Sequence, residues 1–303
     1  MTRSALPPFP FELLAPPDPA TLPLPPASHP EPGVELLRGA VYAVPDGSRP
    51  LELDLWRPAE PDGPVPLVVF VHGGGWRTGR RDDMGPRFRA WRPGPFARLV
   101  QAGFAVACLD YRLSGEAHFP AQRDDLAAAL SWLGGRADEL AVDRSKIVLW
   151  GESAGAHLAA LAALTSAGSA AGTVRGCVCW YGPSDLGALA ADHGGGFDAD
   201  DPTTREARFL GAAPAADEEL TRAASPVHHV SGDSPAFLLL HGTDDTLVPS
   251  RQSVRLADVL REAGAPVELR LIDGAQHLWV GLPDEGVTEC FDRSVEFARA
   301  LTR

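Results

Sequence analysis

The stretch Lys146-Ile-Val-Leu-Trp-Gly-Glu-Ser-Ala-Gly155 decides the fold of this chain. Its apolar half predicts a buried strand over 146–150, and the alanine-rich run that follows predicts a helix over 153–165. Between them, the pattern G-x-S-x-G is typical of a sharp turn from a strand into a helix, in which small residues relieve the crowding. Such a turn exposes the hydroxyl of Ser153 at the strand tip and makes it a candidate nucleophile. The alternative interpretation is a glycine-flanked serine that only caps the helix.

The rest of the chain continues this alternation of strand-like and helix-like runs. Alternating segments of this kind predict a parallel sheet with helices packed on both faces. We therefore expect an α/β fold with a mostly parallel central sheet, helices on both faces and one antiparallel pair of strands at the edge of the sheet. The expected strands are 34–44, 51–56, 66–71, 104–109, 174–181, 236–240 and 267–272, and the expected helices are 121–133, 250–263 and 285–302.

Two segments fall outside this alternation. Residues 1–32 are so rich in proline that we expect an extended amino-terminal arm there, without a helix or a central strand. Residues 33–303 are expected to form a single domain, which a chain of 303 residues can fill. Within that domain, residues 182–235 lack a strand-like run. We expect them to form a small cap-like insertion over the carboxyl edge of the sheet, helical around 204–210 and 217–224.

The composition disfavours several classes of partner. With 27 basic and 40 acidic residues the net charge is −13, so attraction to nucleic acid or to anionic lipid is not expected. No segment approaches the length of a transmembrane helix, and the first residues lack a signal-peptide pattern, so we expect a cytoplasmic protein. The four cysteines lack metal-type spacing and are expected to be reduced thiols packed in the core.

A serine hydroxyl becomes an effective nucleophile only when a neighbouring base takes its proton, and an acid must orient that base. In this kind of fold the three residues follow in the order serine, acid, histidine. His277 lies on a loop beyond the strand expected at 267–272 and has suitable acids before it. Asp244 and Asp245, which come after the strand expected at 236–240, are the main candidates for the acid, and Asp273 is a third.

The motif His72-Gly-Gly-Gly-Trp76 follows the strand expected at 66–71. Consecutive glycines let a backbone approach a substrate closely and direct N–H groups at a developing oxyanion. We expect the amides of Gly73 and Gly74, together with the amide of Ala154, to form an oxyanion hole. A phosphate-binding loop is the alternative, but no G-K-[ST] follows these glycines.

Seven spaced motifs resemble those of the α/β-hydrolase esterases of the hormone-sensitive-lipase and BD-FAE-like type. The resemblance covers the chain from about residue 34 onward. It implies the α/β-hydrolase fold and a carboxylic ester hydrolase that needs no cofactor or metal. It also implies a triad of Ser153, Asp245 and His277, since the acid in this family is the fifth residue of H-G-x-x-D. The motifs are His72-Gly-Gly-Gly-Trp76, Asp110-Tyr-Arg-Leu113, Phe119-Pro-Ala-Gln122, Gly151-Glu-Ser-Ala-Gly155, Ala224-Ser-Pro-Val227, His241-Gly-Thr-Asp-Asp245 and Gly274-Ala-Gln-His277.

The expected substrate is a small-molecule ester with a short- to medium-chain acyl group. Four aromatic residues flank strand ends on the same edge, and we interpret Trp76, Trp180, Tyr181 and Trp279 as candidate substrate-binding residues. The same triad also serves arylformamidases and peptidase-like amide hydrolases, so amide cleavage is the alternative function. A non-catalytic small-molecule receptor on the same fold is a further alternative, although such proteins usually lack a triad member.

The segment 77–98 carries seven arginines and departs from the pattern of the resemblance. We interpret these arginines as a solvated surface face. The alternative is that Arg80, Arg81 and their neighbours attract an ester that carries a carboxylate.

Overall fold

The computed structural model of the protein describes residues 16–165, 172–194 and 198–303. In these ranges the strands are β1 (Ala27–Glu31), β2 (Val34–Ala43), β3 (Leu51–Pro58), β4 (Val65–Val71), β5 (Ala105–Leu109), β6 (Val142–Glu152), β7 (Val174–Trp180), β8 (Ala236–Gly242) and β9 (Val267–Ile272). They form one sheet in the order β1-β2-β3-β5-β4-β6-β7-β8-β9. The pairs from β1 to β5 are antiparallel, and all pairs from β5 through β4 to β9 are parallel.

The helices in the described ranges are α1 (Pro95–Gln101), α2 (Ala121–Gly135), α3 (Ala137–Leu140), α4 (Ala154–Thr165), α5 (Leu189–Asp192), α6 (Arg205–Leu210), α7 (Glu218–Ala223), α8 (Arg251–Glu262) and α9 (Asp284–Thr302). The predicted helices correspond to α2, α4, α8 and α9. Helix α2 continues through Gly134 and Gly135, two residues beyond the end predicted at 133. The short helix α1 was not predicted, because its seven residues begin among prolines and glycines.

The sheet is covered on both faces, as strand β4 illustrates. Its side chains alternate between two apolar clusters: Leu67 and Val69 point to one, and Val68 and Phe70 to the other. Helices α2, α4 and α8 contribute to the first cluster, and α1 and α9 contribute to the second. A strand that is buried on both sides must be apolar throughout, which explains its unbroken run of valine, leucine and phenylalanine. The predicted α/β-hydrolase fold is therefore confirmed.

The proline-rich arm lies outside the described residues up to position 15, and its later part packs on the domain. Strand β1 pairs with β2 and thereby extends the sheet into the segment that was predicted to be an arm. The indole N–H of Trp132 on α2 donates to the carbonyl of Pro19 at 3.0 Å, and Arg136 donates to the carbonyl of Leu22 at 2.9 Å. The sheet thus begins before residue 33, and its edge strand is β1 rather than the predicted pair. An edge strand tolerates Pro30 because it has one unpaired side.

The segment 182–235 lies between β7 and β8 and contains α5, α6 and α7 but no strand among its described residues. Helices α6 and α7 match the helical stretches that were predicted. The backbone of Phe209 on α6 accepts from the amide of Phe119 at 2.8 Å, and its ring stacks on Trp76 with centroids 4.6 Å apart. Helix α6 is therefore fixed to the loop that follows β4.

The four cysteines are buried and free, as expected. Among the described residues, no helix has both the length and the apolar character needed to cross a membrane.

Candidate active site

Ser153 lies between the end of β6 and the start of α4, in a backbone conformation that an L-residue rarely adopts. Its φ is 53°, and this strain is typical of a serine at a strand-to-helix turn. A Cβ at Gly151 would lie 2.3 Å from the carbonyl oxygen of Gly155, and one at Gly155 would lie 2.1 Å from that of Val71. Because no side chain fits at either place, the two glycines of the pentapeptide are steric requirements of this turn.

Two further loops at the same sheet edge bring polar side chains to Ser153. Asp245 follows β8 and His277 follows β9, and parallel strands present their carboxyl ends on one side. Nε2 of His277 lies 2.9 Å from Oγ of Ser153, and Nδ1 of His277 lies 2.6 Å from Oδ2 of Asp245. All three residues are buried. The structure thus joins the three predicted triad residues in one chain of hydrogen bonds.

The carboxylate of Asp245 is held from both sides. Its Oδ1 accepts hydrogen bonds from the backbone N–H groups of Leu247 and Val248, each at 2.9 Å. Its Oδ2 faces His277 and also lies 3.3 Å from Nε2 of His241. Burial alone would raise the pKa of Asp245, but hydrogen bonds from His241 and His277 outweigh it and hold that pKa well below the usual range. Asp245 therefore stays ionised and can orient the imidazole.

The other candidate acids and histidines have different positions. Asp244 and Asp273 are exposed, and the structure does not join either to His277. His241 is buried, with Nδ1 2.7 Å from the hydroxyl of Ser253. His157 is a buried residue of α4, where burial lowers its pKa to about 4 and keeps it neutral. Its Nε2 lies 2.7 Å from a backbone carbonyl, so it connects the helix to the 182–235 segment.

The prediction that the amide of Gly73 belongs to the oxyanion hole is wrong. The N–H of Gly73 donates to Oε1 of Glu152 at 2.7 Å and is not free to face a substrate. Burial raises the pKa of Glu152 to about 7, against the opposing effect of hydrogen bonds from Gly73 and Tyr181. Gly74 and Gly75 line the cavity beside Ser153, whereas Gly73 does not. The sequence could not indicate that the Gly73 amide is taken, because this depends on a contact with the buried Glu152.

A cavity of about 420 Å³ opens beside Ser153 and His277. Its walls are Gly74, Gly75, Arg77, Thr78, Ser153, Arg205, Leu247, His277 and Leu278. Sequence reasoning indicated Leu278 but missed Leu247 and Arg205, since isolated residues outside a motif carry no pattern. Leu278 has a φ of 60°, which the sequence also did not indicate.

The prediction that four aromatic residues bind substrate is wrong, because none of them lines this cavity. Trp76, Trp180, Tyr181 and Trp279 have no more than 2% of their surface exposed. Trp76 packs against Phe209, and the other three pack together below the site. The ring of Tyr181 does contact that of His277, with centroids 4.7 Å apart. These residues support the site from the core.

Several arginines of the 77–98 segment form ion pairs with carboxylates of the protein outside the cavity. Arg81 donates to Asp54, Asp110 and Glu52 at 2.7–2.9 Å, and Arg80 pairs with Asp82. Neither Arg80 nor Arg81 lines the cavity beside Ser153. Within this segment, the arginine that does line it is Arg77.

A mostly parallel sheet covered on both faces, with serine, acid and histidine in that chain order at its carboxyl edge, defines an α/β hydrolase. Comparison with protein families narrows this class. The BD-FAE family model matches residues 53–260. The chain belongs to the BD-FAE family.

Individual relatives agree with this family. The chain is 31% identical over 230 residues to a protein of Mycobacterium tuberculosis named esterase LipQ, a match that covers 72% of this chain and 52% of LipQ. The chain thus spans about half the length of that relative.

Two solved structures are similar over nearly their whole length. A carbohydrate esterase from gut microbiota, solved in truncated form, has a TM-score of 0.74 and 27% identity, covering 88% of this chain and 96% of its own. The esterase Est2 of Thermogutta terrifontis has a TM-score of 0.68 and 26% identity, covering 88% of this chain and 91% of its own. Est2 has also been solved with propionate and with butyrate bound.

Proposed function

We propose that this protein is a serine hydrolase that cleaves small-molecule carboxylic esters through an acyl-enzyme intermediate. The observation that carries the proposal is the hydrogen-bonded chain Ser153–His277–Asp245 at the mouth of a cavity. A fixed nucleophile, a base within hydrogen-bond reach and an ionised acid behind it are what acyl transfer requires. The esterase names of its relatives support the same reaction.

In this mechanism His277 takes the proton of Ser153 as the hydroxyl attacks the ester carbonyl. The amides of Gly74, Gly75 and Ala154 stabilise the oxyanion that forms, a contribution of about 3–4 kcal/mol for each donor. His277, oriented by Asp245, then protonates the leaving alcohol. A water molecule, activated by the same imidazole, releases the acid and restores the serine.

The cavity favours a short- to medium-chain acyl group. Its volume is modest, and Leu247 and Leu278 supply the apolar walls. The complexes of Est2 with propionate and butyrate support the same range of acyl lengths. We assign the 182–235 segment the role of a small cap, because Arg205 at the start of α6 forms part of the cavity wall.

Hydrolysis of p-nitrophenyl esters from acetate to palmitate tests this proposal. We expect kcat/KM to be highest for short acyl chains and to fall by about 10⁴-fold or more in Ser153→Ala. Ser145→Ala, which removes an exposed hydroxyl on β6 away from the cavity, is the matched control and should keep its activity.

An aryl formamide is assayed beside the esters to separate ester from amide cleavage. Ester hydrolysis that survives in Ser153→Ala would contradict the assignment of the nucleophile. Turnover of the formamide without turnover of any ester would contradict the assignment of the substrate class.

A further inference from the structure

The cavity beside Ser153 has a charge that is opposite to that of the whole chain. The chain carries a net charge of −13. None of the nine described residues that line the cavity is acidic, while two of them, Arg77 and Arg205, are cations. The two carboxylates adjoining the triad, Glu152 and Asp245, are hydrogen-bonded to Gly73 and to His277. A ligand in this cavity therefore meets a locally positive wall.

These two arginines also differ from others in how they are partnered. Arg81, Arg112 and Arg255 each hold carboxylates at 2.6–2.9 Å. Within the ranges that the structure describes, the guanidinium groups of Arg77 and Arg205 form neither an ion pair nor a hydrogen bond. A guanidinium has five N–H donors in a fixed fork, and a partly buried one retains them for a ligand when the protein supplies no acceptor.

The relative position of the two arginines is fixed by packing. Arg77 directly follows Trp76, and Arg205 lies one helical turn before Phe209 on α6. The rings of Trp76 and Phe209 stack at an interplanar angle of 20°, which joins the loop to the helix. The side chain of Arg205 also lies against Gly75, since a Cβ at that glycine would meet its Cδ at 2.7 Å. The backbone that carries each arginine is therefore anchored beside the cavity, and both side chains line it.

We propose that Arg77 and Arg205 bind a carboxylate carried by the substrate, so that the preferred esters are half-esters or acid-bearing esters rather than neutral ones. This inference rests on the proposed function and names its substrate class. A carboxylate matches the planar fork of a guanidinium and can accept two parallel N–H bonds from it. Arg205, which is half-buried, contributes more than Arg77, which is exposed and more strongly screened by salt.

The test compares two pairs of esters that differ in one carboxylate. Monoethyl adipate against ethyl hexanoate places the charge on the acyl side, and 4-acetoxybenzoate against phenyl acetate places it on the alcohol side. The measured quantity is the ratio of kcat/KM for the charged ester to that for the neutral one. We expect this ratio to fall about tenfold in Arg205→Gln, less in Arg77→Gln and most in the double variant, for at least one pair.

Two matched controls remove the same charge nearby. Arg208→Gln alters an exposed arginine on the same helix as Arg205, and Arg80→Gln alters an exposed arginine on the same segment as Arg77. Neither lines the cavity, and we expect the ratio to stay within about twofold in both. A ratio that does not change in Arg205→Gln or the double variant for either pair, or that falls equally in the controls, would overturn the proposal while leaving ester hydrolysis intact.

A binding measurement separates this proposal from the proposed function. In the Ser153→Ala protein, calorimetric titration with monoethyl adipate and with 4-acetoxybenzoate should give, for at least one of the two, a Kd that rises about tenfold when Arg205→Gln is added. If both ligands bind equally tightly with and without Arg205, the proposal is contradicted, whether or not the parent protein hydrolyses esters. If the difference in binding is found but the parent protein hydrolyses no ester, only the proposed function is contradicted.

Discussion

The two walls of the cavity differ in how their polar groups are satisfied. On the triad wall, formed by Ser153 and His277 with Asp245 behind them, the hydroxyl, imidazole and carboxylate are linked by hydrogen bonds, and two backbone amides donate to Oδ1 of Asp245. On the arginine wall, formed by Gly74, Gly75, Arg77, Thr78 and Arg205, the two guanidinium groups have no acceptor among the described residues.

The difference between the two walls corresponds to two roles, catalysis and substrate recognition. A catalytic group must be held in one geometry before the substrate arrives, so its partners are built into the protein. A recognition group gains most when its partner is the substrate itself, because a pre-existing ion pair would have to break first. The chemistry and the selectivity of this site are therefore carried by different segments of the chain.

Among the variants of these two walls, a change at Asp245 should reduce kcat most. Asp245→Asn keeps the shape of the side chain but removes the charge that orients and stabilises the imidazole. We expect kcat for a neutral ester to fall by about 10⁴-fold. Steady-state kinetics on purified variants measures this. Asp244→Asn changes the exposed neighbour and should leave kcat unaltered, so comparable losses in the two variants would argue against Asp245 as the acid.

Glu152 directly precedes Ser153 in the chain and accepts a hydrogen bond from the N–H of Gly73. Altering it should change the pH dependence of stability, an effect smaller than the loss of activity expected for Asp245→Asn. Its pKa is raised by burial from 4.5 to about 7, so the folded protein binds this proton more tightly than the unfolded chain does. The stabilisation is fully present below pH 4.5 and is lost as the pH rises through about 7. Glu152→Gln cannot titrate but keeps an acceptor for the N–H of Gly73.

We therefore expect the decline in unfolding free energy between pH 5 and pH 8 to be about 2–3 kcal/mol smaller in Glu152→Gln than in the parent protein. Urea unfolding at the two pH values measures it. Glu60→Gln, at an exposed position, is the control and should follow the parent. If both variants kept the parent's decline, the assigned role of Glu152 would be wrong.

The sequence predicts the triad wall better than the arginine wall, for a physical reason. The turn at Ser153 requires glycines at fixed offsets, because a Cβ at 151 or 155 would meet backbone atoms. Apolar runs such as β4 identify strands that are buried on both faces. Residues that follow such strands must then meet at one sheet edge. Steric and topological requirements of this kind leave a pattern in the sequence.

The arginine wall leaves no such pattern. Arg205 reaches the cavity through the stacking of Trp76 on Phe209, a contact between residues far apart in the chain. The amide of Gly73 is unavailable to an oxyanion because it donates to Glu152. Trp180 and Trp279 lie near strand ends on the edge that carries the triad, yet both side chains are buried in the core. Each of these outcomes depends on tertiary packing.

The proposed function depends on attack of Ser153 on the ester carbonyl. Mass spectrometry of the intact protein, quenched with acid within the first turnovers of p-nitrophenyl acetate, detects the product of this step. We expect a protein that carries one acetyl group, located on Ser153 by peptide mapping and missing in Ser153→Ala. An acetyl group on another residue, or p-nitrophenol release that continues in Ser153→Ala without any acylated protein, would show that Ser153 is not the nucleophile.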